Sequence, residues 1–278
     1  MMKVDIFYST AAGRALFFIL ERSKAFGAAA RFLRTGASKC LIRGFIKRNN
    51  IDMTPYKGQS YASFADFFGR KKENVKYDPA PGTLISPCDG LLSVYEATPD
   101  MYVPMKGSVY GLTDLIPNGE TAGLFAGGLC FVFRLEASDC HRFCCFDDGI
   151  LAETHFVGGR LHSVQPAAHG RVPVLRLNRR WWSLLETEHF GTAVQIEVGA
   201  MLVGGVSFGV KDKRLERGAD MGCFELAGST VVLFVTSSVK ERLGLLGRFA
   251  SARDGQREVR VSMGEAIGTL TKEPKCGA

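Results

Sequence analysis

The stretch CFELAGSTVVLF, Cys223–Phe234, decides how the chain is read. Phe224 and Leu226 alternate with Glu225, and Val231, Val232, Leu233 and Phe234 continue as an apolar run, so both halves read as β-strand. Ala227-Gly228-Ser229-Thr230 stands between them. Glycine inside a strand pattern marks a bulge or tight turn. The sharper reading is that the peptide bond before Ser229 is meant to be broken.

Outward from this stretch, the chain from Leu84 onward alternates short apolar runs with Gly, Pro, Asn and Asp: LISP, LLSVYE, GLCFVFRL, AVQIEVGAMLVGGVSF, STVVLFV and EVRVSM. Strand-length runs with frequent turn signals predict a mostly β core. No strand leads through a glycine-rich phosphate loop into a helix, which argues against a nucleotide fold. Residues 11–48 read differently. GRALFFILERSKAFGAAARFLR keeps apolar clusters broken by Arg14, Arg22, Lys24, Arg31 and Arg34, an amphipathic helical pattern. Its longest apolar run, Ala15–Leu20, is far below the ~18 residues of a membrane span, and its flanks fit a signal peptide poorly. The expected class is therefore α+β: a β-rich core over 49–278 behind a basic, amphipathic helical membrane-association segment over 1–48.

Charge supports that division. Residues 1–48 hold ten Lys/Arg against Asp5 and Glu21, a net +8, whereas residues 49–278 are net −1. Basic charge confined to one end suits an anionic surface better than nucleic acid, which more often meets basic charge spread over the folded body. A helix lying in a membrane interface and a helix packed on the protein's own core both fit the pattern. The eight cysteines have no framework spacing and read as free thiols.

Three further stretches carry candidate chemistry. SPCDG (Ser86–Gly90) is a turn that presents Asp89. FRLEASDCHRFCCFDDG (Phe133–Gly149) puts His141 beside Cys140, Cys144 and Cys145; the spacing is not that of a zinc finger, and no metal site is expected. GRLHSVQP (Gly159–Pro166) holds His162 inside a strand-like run.

Taken in order, these residues resemble the phosphatidylserine decarboxylase family over nearly the whole chain. SFADFFGRK (Ser63–Lys71) is similar to the family's S-F-x-x-F-F-x-R, ISPCDG to S-P-x-D-G, and MKGSVYGLTDLI to V-K-G-x-x-Y-x-L-x-x-L-L. DCHRF is similar to D-Y-H-R-F, NRRWWSLLETEHFGTAVQIEVGAMLVGGV to the stretch from N-x-R to V-G-A-x-x-V-G, and MGCFELAGST to the self-cleavage segment G-x-F-x-x-G-S-T.

The resemblance implies that Ser229 Oγ attacks the Gly228 carbonyl, that elimination releases a β chain 1–228, and that the α chain 229–278 begins with a pyruvoyl group. Serine supplies an Oγ next to the preceding carbonyl, and glycine lets the backbone strain toward it. The implied activity is pyruvoyl-dependent decarboxylation of phosphatidylserine to phosphatidylethanolamine, with residue 229 as Schiff-base site. His141 is then the general acid, and Asp89 the carboxylate of a processing triad that polarises a histidine. One branch of the family has a second histidine three residues after the first. This chain has Cys144 there, and His162 is the expected replacement as processing base; the alternatives are that His162 is a core residue or that His141 serves both steps. The implied setting is the cytoplasmic face of the cell membrane, as a heterodimer of the cleaved chains, open to a higher homo-oligomer, with no nucleic-acid partner. Competing readings are a decarboxylase of a related serine lipid such as archaetidylserine, a non-catalytic lipid-binding relative, and a thiol hydrolase using Cys144 or Cys145 with His141.

Overall fold

The computed structural model describes residues 10, 13, 25–73, 75–105, 108–163, 172–200, 203–209, 213–226, 229–253 and 257–271. Helices α1 (Ala25–Leu33), α2 (Cys40–Asn49) and α3 (Phe64–Phe68) come first. Strands β1 (Thr83–Ile85), β2 (Gly90–Glu96), β3 (Tyr102–Met105) and β4 (Ser108–Gly111) follow, then the short helices α4 (Leu112–Leu115) and α5 (Gly119–Gly123). Next are β5 (Leu129–Arg134), β6 (Arg142–Cys144), β7 (Gly149–Val157), α6 (Val174–Leu177), β8 (Arg180–Thr187) and β9 (Gly191–Val198). The chain continues through β10 (Val203–Phe208), β11 (Arg214–Leu215), β12 (Asp220–Leu226), β13 (Thr230–Val235) and α7 (Ser237–Arg242). It closes with β14 (Leu243–Leu245), β15 (Val259–Val261) and β16 (Ala266–Leu270). The fold is α+β and mostly β, as expected.

An antiparallel eight-stranded sheet, in the order β11-β7-β8-β9-β13-β5-β2-β15, is the backbone of the molecule. Strand β13 is buried at every position because it lies inside this sheet with both faces covered. One face carries Val231, Leu233, Phe131, Phe133 and Leu92 and packs against Met221, Phe224 and Phe143 of the smaller β10-β12-β6 sheet. The other face carries Val232, Phe234, Val132 and Trp182 and is covered by α4, α5 and their flanking residues, including Leu112, Leu115 and Phe125.

The two halves of the opening stretch belong to different sheets. Strand β12 pairs with β6 and β10, whereas β13 pairs with β5 and β9. The interruption is thus where the chain crosses between two packed layers, rather than a bulge in one strand. Ala227 and Gly228 lie outside the described residues. The strand-like run expected around His162 is corrected in its described part: residues 161–163 form no strand, a single bridge among the described residues joins Arg160 to Asn178, and residues 164–166 lie outside the described residues.

At the N-terminal end, the described helices pack one face on the protein's own core and leave basic residues exposed on the other. Phe45 of α2 meets Phe64 and Phe67 edge-on at 5.0 and 6.2 Å, and Leu33, Ile42 and Ile46 join the same apolar cluster with Leu226. Arg31, Arg34, Lys39, Arg43, Lys47 and Arg48 remain exposed. Residues 14–24 lie outside the described residues, and among the described ones no helix is long and apolar enough to cross a membrane.

Candidate active site

Residue pairing brings the candidate residues to one end of the large sheet. A row of directly paired residues runs Leu91, Arg134, Thr230, Val198, Arg180, Val157 across six strands. Ser229 stands one residue beyond this row, and its carbonyl accepts a hydrogen bond from Leu135 N at 3.0 Å, which extends the ladder. Gly90, beside Asp89, also stands one residue beyond the row. Its φ of 151° and the Arg134 carbonyl oxygen, 2.8 Å from any added Cβ, leave no room for a side chain.

Ser229 is buried, and its Oγ has no hydrogen-bond partner among the described residues. An orphaned buried hydroxyl costs about 1–3 kcal/mol, so one at this position calls for a functional reason. An Oγ that no described group engages, on a residue whose own carbonyl is pinned to Leu135, fits a pyruvoyl group at that position.

His141 is fully buried, just before β6, where its carbonyl accepts from Phe224 N. Its Nδ1 lies 3.0 Å from the Asp139 carbonyl oxygen. A carbonyl only accepts, so Nδ1 carries the proton and Nε2 presents a lone pair, which no described group engages. Burial, with the Arg70 cation adding to it, pushes the imidazole down to about 3. His141 is therefore neutral near pH 7, with its Nε2 lone pair free of any described partner. The Phe68 ring, 4.0 Å away between centroids, limits its rotation.

Arg70, from the turn after α3, holds this loop. Its Nη2 donates to the carbonyls of Ser138 and Asp139, each at 2.7 Å, while its guanidinium lies over the Tyr56 and Phe67 rings. The Asp139 carbonyl thus joins Arg70 to His141 Nδ1. The sequence motif contains Arg70 but gives no hint of this clamp, because the partner lies 69 residues away.

Asp89 is placed beside His141 along the chain rather than through its ring. Its Oδ2 accepts from Cys140 N at 3.2 Å, and its Oδ1 accepts from Met263 N at 2.8 Å and from Lys72 Nζ at 2.6 Å. No hydrogen bond joins Asp89 to either candidate histidine among the described residues. In the sequence, neither spacing nor residue type marks Lys72.

His162 is buried, and its backbone is locked to Asn178: Asn178 Oδ1 accepts from His162 N at 2.8 Å, and Asn178 Nδ2 donates to His162 O at 2.7 Å. The same amide donates to Gly199 O at 2.7 Å. Gly199 follows Val198, which pairs with Thr230, so His162 is tied to the strand end next to Ser229.

Cys140, Cys144 and Cys145 are buried core residues. Burial raises Cys144 far above the thiol range and pushes Cys145 up to about 12, so neither is a nucleophile near pH 7. No group of metal-binding side chains occurs among the described residues. His189 serves structure: its Nδ1 lies 2.9 Å from Asp147 Oδ1, which also accepts from Arg217 Nη2 at 2.6 Å. Glu197, fully buried on β9, escaped sequence reading; desolvation raises it to about 7, and Gln195 Nε2 donates to its Oε1 at 2.8 Å.

A buried serine whose hydroxyl has no partner among the described residues stands at a crossing between sheets, and a neutral buried histidine lies in the loop held by Asp89 and Arg70. Comparison with known proteins identifies the kind of protein. The phosphatidylserine decarboxylase family pattern matches residues 63–269. Phosphatidylserine decarboxylase proenzyme 2 of Clostridium acetobutylicum is 35% identical, the match covering 96% of this chain and 91% of that protein. The phosphatidylserine decarboxylase proenzymes of Clostridium botulinum and Ruminiclostridium cellulolyticum are 33% and 32% identical over 94% and 95% of the chain and 90% of each relative. The chain belongs to the phosphatidylserine decarboxylase family.

Proposed function

We propose that this chain is a proenzyme that cuts itself between Gly228 and Ser229 and then decarboxylates phosphatidylserine to phosphatidylethanolamine and CO2. The observation that carries the reading is the buried Ser229 hydroxyl with no partner among the described residues, at a crossing where a cut severs no described strand ladder. The word proenzyme in the names of the relatives supports it.

In the first stage, Ser229 Oγ attacks the Gly228 carbonyl carbon as the peptide nitrogen takes a proton, which gives an ester. Loss of the Ser229 α-proton then expels the Gly228 carboxylate and leaves a dehydroalanine. Hydrolysis of this residue releases ammonia and leaves the pyruvoyl carbonyl. That group supplies the electron sink for decarboxylation. His141 receives and returns a proton at Nε2, held in its tautomer by Asp139 and in place by Arg70 and Phe68. Asp89 positions the Cys140–His141 backbone, and His162, tied to Gly199 through Asn178, is the second proton-handling candidate, for the cutting step. The substrate reaches the site from an anionic membrane surface on the cytoplasmic side, with the exposed basic residues of α1 and α2 toward the lipid. The cleaved chains remain together as a heterodimer.

Intact mass spectrometry tests the reading. The purified chain is expected as two fragments, the smaller beginning at residue 229 with a blocked, ammonia-depleted terminus, and Ser229→Ala is expected as one uncut, inactive chain. A full-length wild-type chain that turns over phosphatidylserine would overturn it.

A further inference from the structure

The face of the large sheet that carries Ser229 continues past the core to an open rim. Side chains alternate faces along a strand, and directly paired residues share a face. Phe156, Trp181, Glu197 and Val231 form one paired row. Arg179 lies two residues before Trp181, and Ser229 two before Val231, so both stand on the same face as that row. Gly199 N donates to Arg179 O, which puts a residue without a side chain between Arg179 and Ser229. With neighbouring strands ~4.8 Å apart, the two residues are separated by about 10 Å.

At the outer end of this row, Phe156 is 56% exposed and meets Trp181, itself partly exposed, at a 45° tilt with 4.7 Å between ring centroids. Beside them, Arg160 O accepts from Arg179 N at 2.9 Å, so the two arginines are neighbours. Neither has a carboxylate partner among the described residues. The one nearby acid on β7, Glu153, engages His155 at 2.7 Å and lies on the opposite face. An exposed phenylalanine against a partly exposed tryptophan, next to two arginines with no carboxylate partner among the described residues, is the composition of a membrane-interface contact: rings seat at headgroup depth and guanidinium groups meet phosphates.

We propose that Phe156, Trp181, Arg160 and Arg179 form a surface that seats on a bilayer bearing anionic phospholipid, at the end of the sheet that holds Ser229. This rests on the reading of the chain as a lipid enzyme and adds a contact separate from the N-terminal helices. It places the headgroup layer beside residue 229, so a lipid reaches the site without leaving the bilayer. Arg179, across Gly199 from Ser229, is the cation of this surface nearest residue 229.

The chain's only tryptophans are Trp181 and Trp182, and Trp182 is 4% exposed in the core, so quenching by a group carried in the lipid reports on Trp181 at this rim. The full-length protein is mixed with vesicles of equimolar phosphatidylcholine and phosphatidylglycerol whose acyl chains carry bromine. Phosphatidylglycerol is anionic but has no serine, so the measurement is independent of decarboxylation and of cutting, which a gel reads separately. Bromine is expected to quench the emission, and Trp181→Phe to abolish the quenching. Arg160→Gln and Arg179→Gln are each expected to weaken vesicle partition by about fivefold. Vesicle binding without quenching would mean that the N-terminal helices alone hold the membrane, and would overturn the proposal. Unchanged partition in both arginine variants, absence of binding, or self-association that shields Trp181 from bromolipid would overturn it equally.

Discussion

His141 and Glu197 are both fully buried, and burial pushes each toward its neutral form. Their consequences for stability have opposite signs. His141 falls from 6.5 to about 3 on folding, so its contribution is complete above pH 6.5 and is lost as pH falls toward 3. Glu197 rises from 4.5 to about 7, so its contribution is complete below pH 4.5 and is lost as pH rises through 7. A tenfold change in proton affinity on folding corresponds to about 1.4 kcal/mol. In denaturant titrations of the uncut Ser229→Ala chain, a further His141→Gln change is expected to flatten the loss of stability between pH 6.5 and 4, and Glu197→Gln to flatten the loss between pH 4.5 and 7. Equal pH slopes with and without these changes would contradict the assignments. For turnover, His141→Ala in cut protein is expected to lower the rate by ~10²–10⁴-fold. His162→Ala is expected to accumulate uncut chain. Normal cutting of His162→Ala with failure of His141→Ala would assign both steps to His141. At this scale the motifs made Ser229, His141 and Asp89 visible, because chemistry restricts residue type at those positions. Arg70's clamp, Lys72 and Glu197 were not visible, since their importance comes from partners that only the tertiary fold supplies.

Among the elements, α3 does most to place the site, because Phe68 touches His141 and the following turn provides Arg70. Ser63 starts it, with its Oγ accepting from Asp66 N at 3.2 Å. Phe67, fully buried, packs against Phe45, Tyr61 and Phe64 and lies beneath the Arg70 guanidinium. Phe67→Ala is expected to cost about 3–5 kcal/mol in urea unfolding and to slow cutting by loosening the 138–141 loop. Loss of stability with unaltered cutting would show that α3 does not position the histidine. The exposed Arg34–Glu225 pair, at 2.6 Å, joins α1 to β12 but is worth at most about 1 kcal/mol. Strands β5, β9 and β13 were readable as apolar runs. The separation of β12 from β13 was not, because alternation encodes strand and face but leaves the choice of sheet to long-range pairing.

For the molecule as a whole, β13 lies between β5 and β9 in the large sheet, while β15 closes the far edge of that sheet and β14 and β16 pair with each other and β16 with β1. A cut before Ser229 would leave these ladders untouched but would assign the central strand and three peripheral ones to a separate chain running from residue 229 to 278. Folding the intact chain is unimolecular; rebuilding the severed pair would require one molecule to insert an apolar strand into the open middle of another. Denatured and diluted, Ser229→Ala is expected to refold at a rate independent of concentration. The processed protein is expected to regain structure only slowly and in proportion to concentration, with aggregation competing. Maturation would then be a ratchet: the reaction that creates the catalytic group also erases the chain's ability to find its fold again.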